Sequence, residues 1–357
     1  MHHVLLVFLG VLLSPLARVR SSVAWSIALL LAIYAALYAD ASWDYAGYLE
    51  YFDCIRGRSC AEDVSERVEL TFLATASFLG LLLGSAGGPF LVAIYSSTAV
   101  MLKLHLLSRE CKSFGVALLG YLCIGWFLHE MTQIRVGLAV AFLWLAVHAL
   151  SAQLRVRAVA YFGMAVLVHY SAALGLIYFV FRRPIISPKI WIACLSATAL
   201  LGIALSTYAS QLMGLWASSF DPRITIYALA LDSEILNTAQ FNFHTAVTIA
   251  LVSLCITNGL YKWTTFEIAA LKFVIVGVFF YMTLFWLPVV GLRGLELFTS
   301  LLPVVGAAGY KSSKSLTMRA IILIMFVALF LNSVVRNGLM LDLVLPGQPQ
   351  ESLLNDR

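Results

Sequence analysis

Trp126-Phe127-Leu128-His129-Glu130-Met131-Thr132-Gln133-Ile134-Arg135 is the stretch around which the chain is organised. It separates two apolar runs, Phe114 to Leu128 and Val136 to Leu150. Between His129 and Arg135, seven positions hold three ionisable side chains and two polar ones. A charge at bilayer depth costs roughly 2.5–3.5 kcal/mol on insertion scales, so a cluster of this kind marks a site by default.

The surrounding composition sets the solvent. Of 357 residues 62% are hydrophobic and only 11% charged, with a mean hydropathy of +0.93. Soluble domains carry about 25% charged residues, so this chain lacks the means to cover itself with a water-facing surface. Repeated apolar runs of spanning length predict an all-α polytopic integral membrane protein, residues 1–357 forming a single transmembrane domain. Counting runs predicts about twelve membrane segments, within a range of about 10–13. The formal net charge of +5 suits basic cytoplasmic loops and, with no basic stripe between aromatics, excludes a nucleic-acid partner. The N-terminal run, whose basic residues Arg18 and Arg20 follow it instead of preceding it, reads as a retained first helix.

Arginine and lysine placement orients the chain. Arg155/Arg157, Arg182/Arg183/Lys189, Lys262 and Lys311/Lys314/Arg319 read as cytoplasmic. Two loops richer in acid than base, about 40–67 and 209–240, read as periplasmic. Cys54 and Cys60 share the first loop, where an oxidising compartment allows a disulfide. With these assignments the run Val156 to Phe181 must enter and leave on one side, as two half-helices meeting near His169. Between Glu69 and Lys112 the count does not close, which predicts a segment that is re-entrant or broken at Gly84-Ser-Ala-Gly-Gly-Pro89.

The polar residues inside these runs are the site candidates. Arg135 offers a planar fork of five donors suited to phosphate or carboxylate, against the plainer reading of an interfacial arginine. Gln133 supplies a hydrogen-bonding neighbour, and Glu130, five residues back, a carboxylate for local pairing. His169 and Ser171 interrupt an apolar run, and an imidazole suits proton transfer. Arg293 lies between Gly291 and Gly294. Trp43, Tyr45 and Tyr48 alternate with acids including Asp44, which reads as a membrane-boundary girdle or as a surface for stacking sugars. Glu69 opens a spanning helix, where an acid needs a partner. No phosphate-binding glycine loop, GxSxG, HExxH or Cys/His zinc spacing occurs, and Asp232-Ser-Glu234 is the nearest approach to a paired-acid metal motif. Neither a metal nor another cofactor is expected.

Taken in order, these elements resemble a known family. The Asp-Tyr-x-x-Tyr box of Asp44, Tyr45 and Tyr48 comes first, then Glu69-Leu70-Thr71-Phe72, Ile134-Arg135-Val136-Gly137-Leu138-Ala139, His169-Tyr170-Ser171-Ala172 and Arg293. This order is similar to that of the EpsG family, related to the Wzy O-antigen and exopolysaccharide polymerases. Family members carry Arg-Gln where this chain has Arg135-Val136, leaving Gln133 as the nearest glutamine. The resemblance implies a GT-C-like membrane glycosyltransferase of the bacterial inner membrane with its active site facing the periplasm. Its substrates would be undecaprenyl-diphosphate-linked oligosaccharides, reached from the membrane lipid, with a flippase and a chain-length regulator as partners. In that chemistry Arg135 and Arg293 would stabilise the departing pyrophosphate. His169, or else Asp44, would act as general base. Glu130, Gln133, Glu69, Tyr45, Tyr48, Trp43 and Ser171 would hold substrate or orient the arginines. An O-antigen ligase uses similar parts. A transporter or flippase of lipid-linked sugars is the alternative from another class; it predicts a charged path and a repeat between halves, and neither is evident.

Overall fold

The computed structural model describes residues 2–13, 15, 21–38, 40, 42, 44–57, 68–181, 187–208, 243–258, 260 and 262–332. Trp43, Cys60, Asp232, Glu234 and the whole loop 209–240 lie outside the described residues. Among the described residues every regular element is helical. In chain order these are α1 (His2–Leu13), α2 (Ser21–Leu37), α3 (Tyr45–Gly57), α4 (Leu70–Leu83), α5 (Gly87–Glu110) and α6 (Phe114–Tyr121). A π-helix over Leu122–Thr132 leads into α7 (Ile134–Ser151), followed by α8 (Arg155–Val168) and α9 (Leu176–Phe181). The rest are α10 (Pro188–Ser206), α11 (Phe243–Thr257), α12 (Thr265–Leu284), α13 (Pro288–Thr299), α14 (Leu302–Ser312) and α15 (Leu316–Leu331).

Large apolar side chains cover the exterior of the spanning helices and several charged ones lie inside, the arrangement lipid imposes. Leu81, Val156, Ile192 and Leu200 are largely exposed, whereas Glu69, Lys103, His129 and Glu130 are buried. Five stretches of the described residues are long and apolar enough to cross a membrane, or six if α13 and α14, bent by 46°, make one span. This is fewer than the expected dozen. The difference arises because several apolar runs are cut into shorter helices, four of which have only 10–17 residues.

Two of those cuts shape the site. Residues 70–110 form one apolar stretch, but it folds back on itself. Gly84, at φ +59°, takes a backbone conformation that a side chain would strain. Beyond it α5 returns along α4. The rings of Phe72 and Tyr95 come within 5.9 Å, and a Cβ on Gly87 would stand 2.8 Å from the carbonyl oxygen of Leu79. The glycine-rich break expected here is therefore a helical hairpin. Helix α3 lies across its seam, with Phe52 against Gly87 and Leu49 against Gly88. The expected loop 40–67 thus contains a packed helix, and its Cys54 is disulfide-bonded.

The second cut is at His169. Helix α8 ends at Val168, His169 is extended (φ −157°, ψ 124°), and a 3-10 turn over Tyr170–Gly175 leads into α9. The returning half lies beside α8, with Phe162 and Phe179 ring centroids 5.0 Å apart. Tyr178 reaches the same hollow as Arg155, near the start of α8. The run therefore doubles back with His169 at its vertex, as two half-helices. At 1.5 Å per residue, α8 carries His169 about 21 Å from that start, well inside a hydrocarbon core of about 30 Å.

Close packing also fixes the opening stretch. The π-helix ends at Gln133, whose backbone N–H donates to the carbonyl of Leu128 at 2.8 Å. A Cβ on Gly137 would lie 2.4 Å from the carbonyl oxygen of His129, so α7 can begin there only with glycine at that position. Gly137→Ala is expected to lower stability by about 1–3 kcal/mol through overpacking, whereas Gly163→Ala, which meets nothing within 4 Å, should be tolerated. Thermal unfolding in detergent, followed by circular dichroism, measures both; equal melting temperatures for the two variants would contradict the packing described.

Candidate active site

The centre of the site is one carboxylate. Glu69 stands at the N-terminal boundary of α4, and its side chain is only 3% exposed. Its Oε2 accepts a hydrogen bond from Arg135 Nη1 at 2.6 Å. Its Oε1 meets His169 Nδ1 in a very short contact. Three residues far apart in sequence, on α4, at the start of α7 and at the vertex after α8, are thereby joined. The hydroxyl of Thr71 adds a bond to the carbonyl of Leu167 at 2.9 Å, which locks the start of α4 to the end of α8.

Aromatic rings enclose the guanidinium. The Arg135 carbon lies 5.4 Å from the Phe72 ring centroid, 5.7 Å from Tyr48 and 6.0 Å from Tyr51. Such faces attract a cation and exclude water from around it. Arg135 and His169 remain 17% and 24% exposed, while the glutamate beneath them is closed off. The arrangement presents a cation and an imidazole to a ligand and keeps their shared counter-charge out of reach. An ionised carboxylate accepts and does not donate, so in that contact it is Nδ1 that carries a proton.

Asp44 and Arg293 stand across the mouth. Asp44 is exposed at the start of α3. Burial of part of its surroundings raises its carboxyl pKa above the ordinary value, and the fields of Arg293 and then Arg135 oppose that rise. Helix α13 packs against the turn that follows His169. Arg293, half exposed, makes a loose contact of 3.4 Å with Glu296 and lines a hollow of about 680 Å³ together with Tyr170, Ser171 and Val290. The remaining lining is aliphatic, so a cation heads an apolar groove that opens beside His169. Tyr45 is half-buried beside Asp44, and Tyr48 is buried beneath Arg135.

One expected role is corrected. Glu130 does not orient Arg135; it is fully buried and paired with Lys103 of α5 in a very short contact. The ammonium of Lys103 also lies 5.7 Å from the Trp144 ring centroid and 5.8 Å from that of Tyr121. The hydroxyl of Ser96 donates to the backbone carbonyl of Glu130 at 2.7 Å. Gln133 sits at the hinge between the π-helix and α7, with its side-chain oxygen buried and without a hydrogen-bond partner among the described residues. His129 is buried, with both ring nitrogens likewise unpartnered. Lys103 escaped the sequence reading, although a lone lysine in the apolar run Phe90 to Leu107 is itself the signal that could have found it. Among the described residues no three His, Cys, Asp or Glu side chains gather as a metal-ligating group.

The Lys103–Glu130 pair gives a stability test. Lys103→Met leaves a buried carboxylate alone and is expected to cost about 3–5 kcal/mol. Lys103→Met combined with Glu130→Gln removes both charges and should recover most of that loss. Unfolding midpoints in detergent read the difference, and strictly additive effects of the two substitutions would refute the pairing.

No curated protein and no solved structure matches the chain. The model of the EpsG family matches residues 5–346, nearly the whole length and all of the site. That match suggests a function of the exopolysaccharide- or O-antigen-polymerase type. The chain belongs to the EpsG family.

Proposed function

We propose that the protein is a bacterial polysaccharide polymerase of the Wzy type, a membrane glycosyltransferase working without a metal at the periplasmic face of the inner membrane. It moves a growing undecaprenyl-diphosphate-linked glycan onto the terminal sugar of a lipid-linked repeat unit. The observation that carries this reading is the Glu69 carboxylate held between Arg135 and His169. It supplies, side by side, an anchored cation for a phosphate and an oriented imidazole for a hydroxyl.

The reaction follows from those two groups. The acceptor hydroxyl oxygen forms a bond to the anomeric carbon of the donor glycan. The bond from that carbon to the pyrophosphate oxygen breaks, and its electron pair leaves with undecaprenyl diphosphate. Arg135 stabilises the growing negative charge, as preorganised donors do in a site shielded from water. Arg293, half exposed across the mouth, reaches the same leaving group. The hydroxyl proton passes to Nε2 of His169, whose ring Glu69 orients through Nδ1. Asp44, exposed at the start of α3, binds the acceptor sugar or shares the role of base. Tyr45 and Trp43 contribute stacking faces, and Ser171 and Gln133 contribute hydrogen bonds to the glycan or its phosphates.

Two features support the assigned side of the membrane. Cys54 is disulfide-bonded on α3, within the segment that carries Asp44, and disulfides persist in oxidising compartments. The basic residues Arg155 and Arg157 stand at the far end of α7 from Arg135. That separation is about 27 Å for 18 helical residues.

Purified protein supplied with lipid-linked repeat units should form long chains with EDTA present. Arg135→Ala, Glu69→Gln, His169→Ala and Arg293→Ala are each expected to slow polymer formation by about 10²-fold or more, with expression unchanged. Arg135→Lys should also fail, because a point charge does not reproduce the planar fork. Gel separation of the lipid-linked products reads the outcome. Full-length chains from all four variants, or transport of repeat units without extension, would overturn the proposal.

A further inference from the structure

A second cationic hollow lies at the opposite end of α7 from Arg135. It measures about 380 Å³ and is lined by Ser151, Gln153, Arg155, Thr265 and Lys272, with Tyr178 on its inner wall. Lys272 belongs to α12, a spanning helix whose other charged residue is Glu267 in its first turn, and sits two turns beyond the start of that helix. A lysine at that depth needs a counter-charge or a route to water. Glu267, in the first turn of α12, accepts from the backbone N–H of Thr264 at 2.7 Å, and Glu110 is paired with His148 near the end of α7 at 3.1 Å. No carboxylate pairs with Arg155 or Lys272 among the described residues, and no acidic residue lines the hollow.

The hollow suits a phosphate. Two cations from different helices line it together with Thr265 and with Ser151, whose hydroxyl donates to the carbonyl of His148. Helix α8 starts at the same place with no side-chain cap on its first N–H groups, adding the positive end of a helix dipole. Gln153, at φ 62°, folds the backbone into the tight turn that brings the end of α7 and the start of α8 together here. The aliphatic members Leu150, Ile268 and Ala269 make the remaining wall apolar. This combination of a phosphate seat beside an apolar flank, at the end of a membrane bundle, is the chemistry of a lipid headgroup site.

We infer that this hollow binds the phosphate of an anionic membrane lipid in the leaflet opposite the active site. Lys272 and Arg155 contact the phosphate oxygens, and the acyl chains descend along α9 and α12. The site is independent of the polymerase chemistry, since none of its residues touches Glu69, Arg135 or His169.

Full-length protein in nanodiscs of phosphatidylcholine doped with phosphatidylglycerol tests the inference, with retained lipids counted by native mass spectrometry. Wild type should retain phosphatidylglycerol over phosphatidylcholine, and Arg155→Gln/Lys272→Gln should reduce that preference by about tenfold or more, the order expected for two cations removed from one headgroup. Lys272→Gln alone should reduce it in part and serves if the double variant fails to fold. Arg155→Lys/Lys272→Arg, which keeps both charges, and Arg157→Gln, which alters a cation outside the hollow, should retain it. Retention that resists inorganic phosphate assigns the seat to the lipid. Displacement by inorganic phosphate keeps the phosphate site and gives it a soluble occupant. Equal retention of both lipids by wild type, or equal loss in the Arg157→Gln control, would overturn the inference.

Discussion

A carboxylate closed inside a membrane bundle must find positive or hydrogen-bonding partners, because several kcal/mol of lost hydration would otherwise expel or neutralise it. Glu69 finds two, Arg135 and His169, and much of the surrounding architecture can be traced to that need. To place Glu69 at this depth, α4 must begin beside the vertex of the broken run. To let α4 begin there, the chain must turn at Gly84 and return as α5. The hairpin packs closely because Gly87 and Gly88 admit Phe52 and Leu49 of α3. The same helix brings Tyr48 and Tyr51 over the guanidinium. Local turn chemistry, helix packing and the charged centre are therefore one set of constraints.

Much of the centre was legible in the sequence, for a definite reason. An arginine, a histidine or a glutamate in an apolar run is expensive, so Arg135, His169 and Glu69 announce themselves without any knowledge of their contacts. The break at His169 was legible too, since basic residues at both ends of the run required the chain to turn round. What could not be read was pairing. Glu130 stands five residues from Arg135, and proximity in sequence suggested a local bond. The π-helix and the hinge at Gln133 turn the two side chains to different partners. A wide helical turn leaves no mark on composition, and apolar periodicity has little power where nearly every position is apolar. Lys103 was missed because one lysine in a long run resembles a snorkelling surface residue.

The span count shows the same limit from another side. Hydropathy measures how much apolar sequence is available, and it does not register how the backbone divides it. A run long enough to cross can instead become a hairpin arm, as in α4, or two half-helices, as in α8 and α9. Irregular backbone at membrane depth is tolerated only where protein or a water-filled cavity satisfies it. The breaks at His169 and Gln133 both occur beside buried polar side chains, which is where such satisfaction is available.

The two arginines of the site are held differently, and under the proposed function the difference bears on how a bulky lipid-linked glycan would enter and leave. Arg135 is confined by a strong hydrogen bond to Glu69 and by three aromatic rings, so little of its position is left to the ligand. Arg293 keeps one loose contact with Glu296 at the head of an apolar groove and can follow a substrate over some distance. Charge stabilisation in a transition state favours the confined group, since its orientation costs nothing at the moment of reaction. Capture and release favour the loose one. The polyprenyl-linked pyrophosphate of the proposed function would require both properties, and a pair of equally rigid arginines would supply only the first. On this argument Glu69 fixes one cation while Glu296 holds the other only loosely, and that asymmetry belongs to the proposed site.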